Sequence, residues 1–167
     1  MIYLNKKMSL KDFLIYQAKT SPNPVGLVVN KARGSYIFDS KGKKYLDFVA
    51  GISACSLGHR HPRVIKAIKK QLNKFLHVMV YGEYVQKSSV DLCKKLAGFL
   101  PKSLEVTFLT NSGTEAIEGA MKLAKRYTKK SNFIAAKNSY HGSTQGALSL
   151  LGVRDQKKGY GPLLPKV

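Results

Sequence analysis

Two short polar segments carry the residue types best suited to binding and chemistry. The first, TNSGTEAIEG at residues 110–119, places Ser112, Gly113 and Thr114 between an apolar run and a segment with helical periodicity. The first N–H groups of a helix have no partner inside the helix, and with the helix dipole they favour a bound anion. The segment therefore suggests an anion cradle, although Ser112 as a helix N-cap and Gly113 as a turn residue would account for the same letters.

The second segment, NSYHGS at residues 138–143, also follows an apolar run and precedes a helical pattern. Ligands of open α/β sheets lie outside the carboxyl ends of the strands, so both segments are expected to border one crevice. One loop would hold a phosphate, and Tyr140 would supply a flat aromatic face beside His141. Together they predict a ligand that combines a phosphate with an aromatic ring.

Other groupings of reactive side chains give weaker evidence for a metal or catalytic site. His59 and His61 in GHRHP have a spacing that could suit a metal, but no third ligand accompanies them and Pro62 starts a helix. We interpret this stretch as a structural loop and predict no metal site. Ser139 lies near His141 without a G-x-S-x-G elbow, and there is no G-x-x-x-x-G-K-S/T phosphate loop. No catalytic residue is assigned in this chain.

The elements that position the two polar segments alternate between helix and strand. The pattern predicts helices at 62–76, 84–100, 114–129 and 143–151, and strands at 104–109 and 132–136. This order is typical of a layered α/β domain with parallel strands. Residues 51–167 are therefore predicted to form the first part of a large α/β domain. With only two such strands and a Gly- and Pro-rich GYGPLLPKV ending, we expect the front portion of a larger protein.

Residues 1–50 form a different kind of segment. A short helix-like opening containing Phe13 is followed by SPNP, where two prolines mark a connection. Three strands are predicted at Gly26–Lys31, Ser35–Asp39 and Lys43–Val49, the last two joined at Ser40–Gly42 by a hairpin. We expect a small antiparallel element at the N-terminus.

The strongly basic composition raises the question of a polyanionic partner. The formal net charge is +20, from 29 Lys and Arg against 9 Asp and Glu. Many of the lysines follow helical spacing opposite an apolar stripe, and no aromatic residues are interleaved as a nucleic-acid stacking surface would need. We interpret them as solvated helix faces, which argues against nucleic acid as a partner.

Cysteine use and hydropathy bear on the compartment. Cys55 and Cys93 do not form a C-x-x-C motif, which favours free thiols in a reducing, cytoplasmic setting over a disulfide scaffold. The opening MIYLNKKMSLKDF lacks the continuous apolar stretch of a signal peptide, and no apolar run is long enough to cross a bilayer. No membrane association is predicted.

Three ordered blocks of the sequence resemble a known family. SLGHRHPRVIKAIKKQL, TNSGTEAIEGAMKLAKRYT and SYHGSTQGALSL resemble the class III aminotransferases that use pyridoxal 5′-phosphate, which include acetylornithine, ornithine and other ω-amino acid transaminases. The likeness extends from about residue 20 to the end. It implies a fold-type I pyridoxal-phosphate-dependent transferase, homodimeric, that moves an amino group from an amino acid or ω-amine donor to a 2-oxo acid.

The resemblance also implies roles for individual residues. The N–H groups of Gly113 and Thr114, with the hydroxyls of Ser112 and Thr114 as candidates, would hold the cofactor phosphate. Tyr140 matches the aromatic residue that stacks on the pyridine ring, and His141 follows it at the same edge. The stretch MVYGEY at residues 79–84 is expected near the cofactor of the other subunit.

Two departures from the family pattern limit what this chain can do. The lysine that forms the Schiff base and the aspartate that pairs with the pyridine nitrogen lie, in the family, beyond the position of Val167. The acetylornithine branch usually has an arginine directly after the glycine of the second loop, whereas this chain has Ser143. A hydroxyl cannot replace a bidentate guanidinium. The alternative hypothesis is an inactive truncated relative or a basic module that binds anions or nucleic acid.

Overall fold

The computed structural model describes residues 9–80 and 82–167 of the chain. Contacts divide the chain into two units, the first ending at Tyr84 and the second spanning Val85–Val167. The predicted division near residue 50 stays a prediction. The opening MIYLNKKM and Tyr81 of the MVYGEY stretch lie outside the described residues.

The first unit contains a short helix and a small sheet. Helix α1 spans Leu10–Tyr16. Strands β1 (Val29–Arg33), β2 (Tyr36–Asp39) and β3 (Lys44–Leu46) form an antiparallel sheet in the order β1-β2-β3. This confirms the predicted antiparallel element. Strand β1 begins later than predicted, and Gly26 has a φ of 68°, a left-handed conformation that a strand does not accommodate.

The hairpin between β2 and β3 is organised by one carboxylate. Asp39 accepts hydrogen bonds at Oδ1 from the N–H groups of Lys41 at 2.8 Å and Lys43 at 2.9 Å. Its Oδ2 accepts the hydroxyl of Tyr45 at 3.0 Å. Gly42 takes a φ of 85°, which glycine adopts without steric cost. The hairpin predicted at Ser40–Gly42 is confirmed.

A second carboxylate anchors the loop that follows β3. Asp47 Oδ1 accepts the N–H groups of Val49 and Ala50, both at 3.0 Å, and Oδ2 lies 2.6 Å from His59 Nε2. The backbone of His59 also exchanges two hydrogen bonds with Gly34, at 3.0 and 2.8 Å. The His59 ring and backbone thus tie the GHRHP stretch to the sheet, which supports the structural interpretation of this loop.

We expect Asp47→Asn to lower the stability of the protein. The Asp47 side chain is only 6% exposed, and the hydrogen bond from His59 is the main cause that lowers the pKa of this carboxyl. Its contribution is present above the ordinary aspartate pKa of about 3.9 and is lost as the pH falls through the lowered value. Thermal unfolding at pH 7 should show a lower midpoint for Asp47→Asn.

The matched control for Asp47→Asn is Asp155→Asn. No hydrogen bond of the Asp155 carboxylate is recorded among the described residues. An equal loss in both variants would show that the charge, rather than the contacts of Asp47, is responsible. Asp47→Asn should also weaken the acid dependence of the unfolding midpoint, whereas Asp155→Asn should retain it.

Helix α2 begins where the sequence places it and ends earlier than predicted. It spans Pro62–Leu72 with the proline in its first turn, a position that needs no N–H donor. Asn73 ends it instead of residue 76. The apolar stripe of this helix is not covered by the described residues, since Val64, Ile68 and Leu72 remain exposed.

The second unit is built mainly from helices. Helix α3 spans Lys87–Ala97, α4 spans Gly113–Thr128 and α5 spans Gln145–Leu150. Short 3₁₀ helices lie at Lys102–Leu104 and Arg154–Lys157. The three α-helices confirm the predictions at 84–100, 114–129 and 143–151, with each end displaced by one to three residues.

The two strands predicted in this unit are wrong as hydrogen-bonded elements. Residues 105–110 and 131–136 have no regular secondary structure, and Leu104 belongs to a 3₁₀ helix. A strand is held by ladder hydrogen bonds to a neighbour, and the part of the chain that the structure describes supplies no such neighbour here. Their apolar side chains stay exposed, Phe108 at 82% and Val106 at 95%.

The core of the second unit surrounds α5. Ala147, Leu148, Leu150 and Leu151 are buried there together with Met121 of α4. Ser149 is 2% exposed, and its hydroxyl donates to the Gln145 carbonyl at 2.6 Å and accepts the Leu164 N–H at 2.9 Å. The polar group is therefore satisfied inside an apolar core. Lys157 and Leu164 thus contact α5, and residues 159–167, predicted as a loop, contain no helix or strand.

Candidate functional site

The N-terminus of α4 is capped from within the first polar segment. Ser112 Oγ accepts the N–H of Glu115 at 3.2 Å, and the Ser112 carbonyl accepts the N–H of Ala116 at 3.1 Å. Glu115 reaches back, its carboxylate accepting the backbone N–H of Asn111 at 2.8 Å. These contacts are those of an N-capped helix whose third residue satisfies the preceding turn. They explain why the sequence TNSGTE begins a helix at Gly113.

The N–H groups of Gly113 and Thr114 are left available by this arrangement. They belong to the first turn, where no carbonyl of the helix can reach them. Within residues 9–80 and 82–167 no acceptor is recorded for either group. A Cβ built on Gly113 would meet no atom within 4 Å. The two donors therefore have no acceptor among the described residues and lie at the positive end of a 16-residue helix, beside open space on the Cβ side of Gly113.

The second polar segment lies directly against this helix end. Thr114 Oγ1 and Thr144 Oγ1 are 3.1 Å apart. A Cβ on Gly142 would overlap the Thr114 side chain, 2.5 Å from its Cβ, and Gly142 has a φ of 130°. Only glycine fits such a conformation at so close an approach. The structure thus brings together the two loops that the sequence predicted to border one crevice.

Glu118, one turn further along α4, also joins this helix to the second polar segment. The sequence did not predict this role. Glu118 Oε1 accepts the Thr144 hydroxyl at 2.6 Å and the N–H groups of Gly146 and Ala147 at 2.9 and 3.2 Å. The carboxylate of one helix thereby caps the first turn of the next. Thr144 itself makes no side-chain cap for α5. The only signal in the sequence was an acidic residue on the helix face that carries Thr114.

The direction of the hydroxyl hydrogen bonds follows from proton counting. Thr144 has a single hydroxyl hydrogen, which it donates to the acceptor-only carboxylate of Glu118. Thr114 must then donate its own hydrogen to Thr144. Ser112 Oγ acts as an acceptor toward Glu115, so its hydrogen remains free. Of the two hydroxyls named as candidate phosphate donors, Ser112 is the better placed.

The hydrogen bonds also set the charge of Glu118. The Thr144 hydroxyl is the main cause that lowers the pKa of Glu118, helped by the Ala147 and Gly146 N–H groups and opposed by burial. The carboxylate is therefore ionised at neutral pH. Its contribution to stability is present above the ordinary glutamate pKa of about 4.3 and is lost as the pH falls through the lowered value.

The remaining predicted site residues lie in the Asn138–Thr144 loop. The Tyr140 ring is 69% exposed, His141 is half-buried and Ser143 is exposed. No hydrogen bond from these three side chains is recorded among the described residues. Tyr140 and His141 are therefore free to contact a ligand, and Ser143 lies beside Gly142 at the junction with α4.

This arrangement fits a phosphate attached to an aromatic ring. Two unpaired N–H groups, a hydroxyl hydrogen and the positive end of a helix suit an anion. An exposed phenol ring on the adjoining loop suits a flat partner.

Within the described residues no group of three or more His, Cys, Asp or Glu could hold a metal. No helix there is long and apolar enough to cross a bilayer, and Cys55 and Cys93 are free thiols.

Comparisons with known proteins agree on one family. Residues 16–167 match the family described as Aminotransferase class-III. The acetylornithine aminotransferase of Bacillus anthracis is 41% identical over 136 residues, which cover 81% of this chain and 34% of that protein. The acetylornithine aminotransferase of Caldanaerobacter subterraneus subsp. tengcongensis is 43% identical over 149 residues, covering 84% of this chain and 36% of the relative.

A solved structure shows the same backbone arrangement. The crystal structure of adenosylmethionine-8-amino-7-oxononanoate aminotransferase from Methanocaldococcus jannaschii superimposes with a TM-score of 0.84 at 32% identity. The superimposed region covers 94% of this chain and 38% of that protein. The chain therefore spans little more than a third of the length of the proteins it matches.

Proposed function

Because the chain belongs to the class-III aminotransferase family, we propose that it forms part of a pyridoxal-phosphate-dependent aminotransferase. The enzyme would transfer an amino group from an amino acid or ω-amine donor to a 2-oxo acid. The observation that carries the proposal is the pair of available N–H groups on Gly113 and Thr114, beside an exposed Tyr140. A homodimeric, cytoplasmic enzyme is part of the same proposal.

The residues of this chain would bind and orient the cofactor. The N–H groups of Gly113 and Thr114 and the Ser112 hydroxyl would hold the phosphate, reinforced by the α4 dipole by about 0.3–1 kcal/mol per charge. Tyr140 would fix the plane of the ring, with His141 at its edge. When bound, pyridoxal phosphate supplies the electron-withdrawing ring that stabilises negative charge on the substrate carbon. A fixed ring plane determines which face of that carbon is open to a proton.

A cofactor titration with the full-length protein tests the proposal. Pyridoxal phosphate should bind with an affinity that inorganic phosphate reduces by competition, because the N–H groups recognise the phosphate. A basic module that binds nucleic acid would instead bind DNA or RNA with a steep dependence on salt. Absence of cofactor binding by the full-length protein, together with such salt-dependent binding, would overturn the proposal.

Substrate choice should depend on Ser143. Because a hydroxyl cannot grip a carboxylate as a guanidinium does, we expect the full-length enzyme to use N-acetylornithine poorly compared with other donors. Ser143→Arg should raise kcat/KM for carboxylate-bearing donors by about tenfold, the effect of one charged hydrogen bond. Steady-state kinetics over a panel of amino acids, diamines and ω-amino acids provides the measurement.

Ser103→Arg is the control for the added charge. Ser103 is exposed on the 3₁₀ helix Lys102–Leu104, outside both candidate loops. This variant should leave the order of donors unchanged. If the unmodified enzyme ranks N-acetylornithine first, the proposed consequence of Ser143 is wrong.

A further inference from the structure

Glu118 occupies an unusual position between two helices of the candidate site. Its Oε1 accepts three hydrogen bonds, from the Thr144 hydroxyl at 2.6 Å and from the N–H groups of Gly146 and Ala147 at 2.9 and 3.2 Å. All three donors lie at the start of α5, immediately after the Tyr140 loop. Hydrogen bonds to an ionised acceptor are roughly twice as strong as neutral ones. The carboxylate is thus the principal polar link between α4 and that loop.

Glycines at the contact show how closely the two segments approach. A Cβ on Gly146 would overlap the Glu118 carboxylate, 2.6 Å from Oε1 and 2.7 Å from Cδ. A Cβ on Gly142 would overlap Thr114 in the same way. Real Cβ atoms do not approach so closely, so any larger residue would have to displace the loop or the carboxylate. The contact therefore depends on both the acid and the two glycines.

We propose that Glu118 is a positioning residue that sets the place of the Tyr140 loop relative to the phosphate-binding N–H groups of α4. This inference rests on the proposed function, because it assigns Glu118 to the same cofactor site. Gly113 and Thr114 lie at the start of the helix that carries Glu118, whereas Tyr140 belongs to the loop that Glu118 holds. Fixing one against the other fixes the distance between the phosphate and ring positions of the ligand.

The hydroxyl chain gives Glu118 a second effect on the same site. Because Thr144 donates to Glu118, Thr144 offers only its lone pairs to Thr114, which turns the Thr114 hydrogen away from the phosphate position. Removing the carboxylate releases both hydroxyl hydrogens, which offers the phosphate one more donor and offsets part of the affinity lost with the position of the loop. The phosphate environment would then change even though Glu118 touches no part of the ligand.

The test uses the full-length protein and a graded series at position 118. Without cofactor, Glu118→Ala should speed amide hydrogen exchange in the peptide containing Gly146 and Ala147, because both N–H groups lose their acceptor. The dissociation constant of pyridoxal phosphate should rise about tenfold, because cofactor binding must then supply the ordering of the loop that one charged hydrogen bond supplied beforehand. Glu118→Gln keeps an acceptor oxygen and should fall between the wild type and Glu118→Ala in both measurements. If Glu118→Ala does not fold, Glu118→Gln carries the test.

A spectroscopic measurement separates positioning from general stability. At saturating cofactor, Glu118→Ala should reduce the induced circular dichroism of the bound ring, since its orientation is no longer fixed. Gly146→Ala should reproduce this loss because its methyl group displaces the carboxylate. In the double variant the overlap is gone, so Gly146→Ala should add little to Glu118→Ala. Simple additivity of the two changes would contradict a shared contact.

Asp91→Ala is the matched control. Among the described residues, the Asp91 carboxylate pairs only with Lys87, on the surface of α3 in the same unit. This variant should leave exchange, affinity and circular dichroism unchanged. Faster exchange in Glu118→Ala with unaltered affinity and dichroism would reduce Glu118 to a helix cap and overturn the inference. Unaltered exchange would overturn it too. A wild-type protein that binds no cofactor would instead overturn the proposed function.

Discussion

Residues 1–167 produced alone are expected to show no transamination, even with excess pyridoxal phosphate and several amino donors. The chain spans about a third of the length of its relatives, and we propose that the lysine that binds the cofactor lies beyond residue 167. The described part contributes only the proposed phosphate and ring contacts. Without an amine fixed beside the reacting carbon, no group is placed to move the proton between substrate and cofactor.

Borohydride trapping with peptide mapping provides the measurement, alongside turnover assays. In the full-length protein, reduction should attach the cofactor to a single lysine beyond residue 167. The isolated chain should give no stoichiometric attachment and no turnover above the rate of the free cofactor. Stoichiometric reduction onto one lysine of this chain, together with turnover, would show that the family assignment of the lysine is wrong.

Gly113→Val in the full-length protein is expected to weaken cofactor binding by at least about tenfold, the effect of losing one charged hydrogen bond. The added Cβ causes no steric clash within the protein, because a Cβ at Gly113 meets no protein atom within 4 Å. Its φ is not left-handed, so the backbone is not strained. We therefore attribute a loss of affinity to the space that the proposed phosphate occupies, and Gly113→Ala, which adds only that Cβ, is the stricter test. Titration of the apoprotein with pyridoxal phosphate measures the effect.

Gly119 of the same helix provides the control. A Cβ there would meet the Phe108 ring at an ordinary 3.7 Å, so Gly119→Ala is tolerated on the same grounds as Gly113→Ala. We expect Gly113→Ala to weaken binding, though less than valine does, and Gly119→Ala to leave it unchanged. Equal effects of alanine at the two positions would remove the phosphate-cradle assignment.

Local sequence signals predicted the helices and the capped start of α4. Ser112 and Glu115 satisfy backbone groups within four residues of themselves, so their roles are visible in the letters SGTE. The same holds for the hairpin at Ser40–Gly42, where Asp39 binds amides two and four residues away. Interactions that close over a few residues leave a pattern that a sequence shows directly.

The contacts that organise the site are long-range and left no such pattern. Glu118 binds groups 26 to 29 residues away. Outside the site, in the first unit, Asp47 likewise binds His59 across 12 residues. From the sequence, Glu118 is indistinguishable from an acid on a solvated helix face. Strands 104–109 and 132–136 failed for a related reason, since apolar alternation predicts a strand but cannot supply the neighbour that pairs with it.

The burial of Ser149 has a consequence for the order in which the chain folds during synthesis. Helix α5 has six residues, too few to be stable alone in water. Its polar partners include the Leu164 N–H, the Pro162 carbonyl that accepts from Gln145, and the Lys157 ammonium that donates to the Ser149 carbonyl. A nascent chain that has emerged only as far as α5 lacks Leu164, whose N–H is the donor that Ser149 Oγ accepts. We therefore expect the core of the second unit to reach its full set of hydrogen bonds only after residue 164 has left the ribosome.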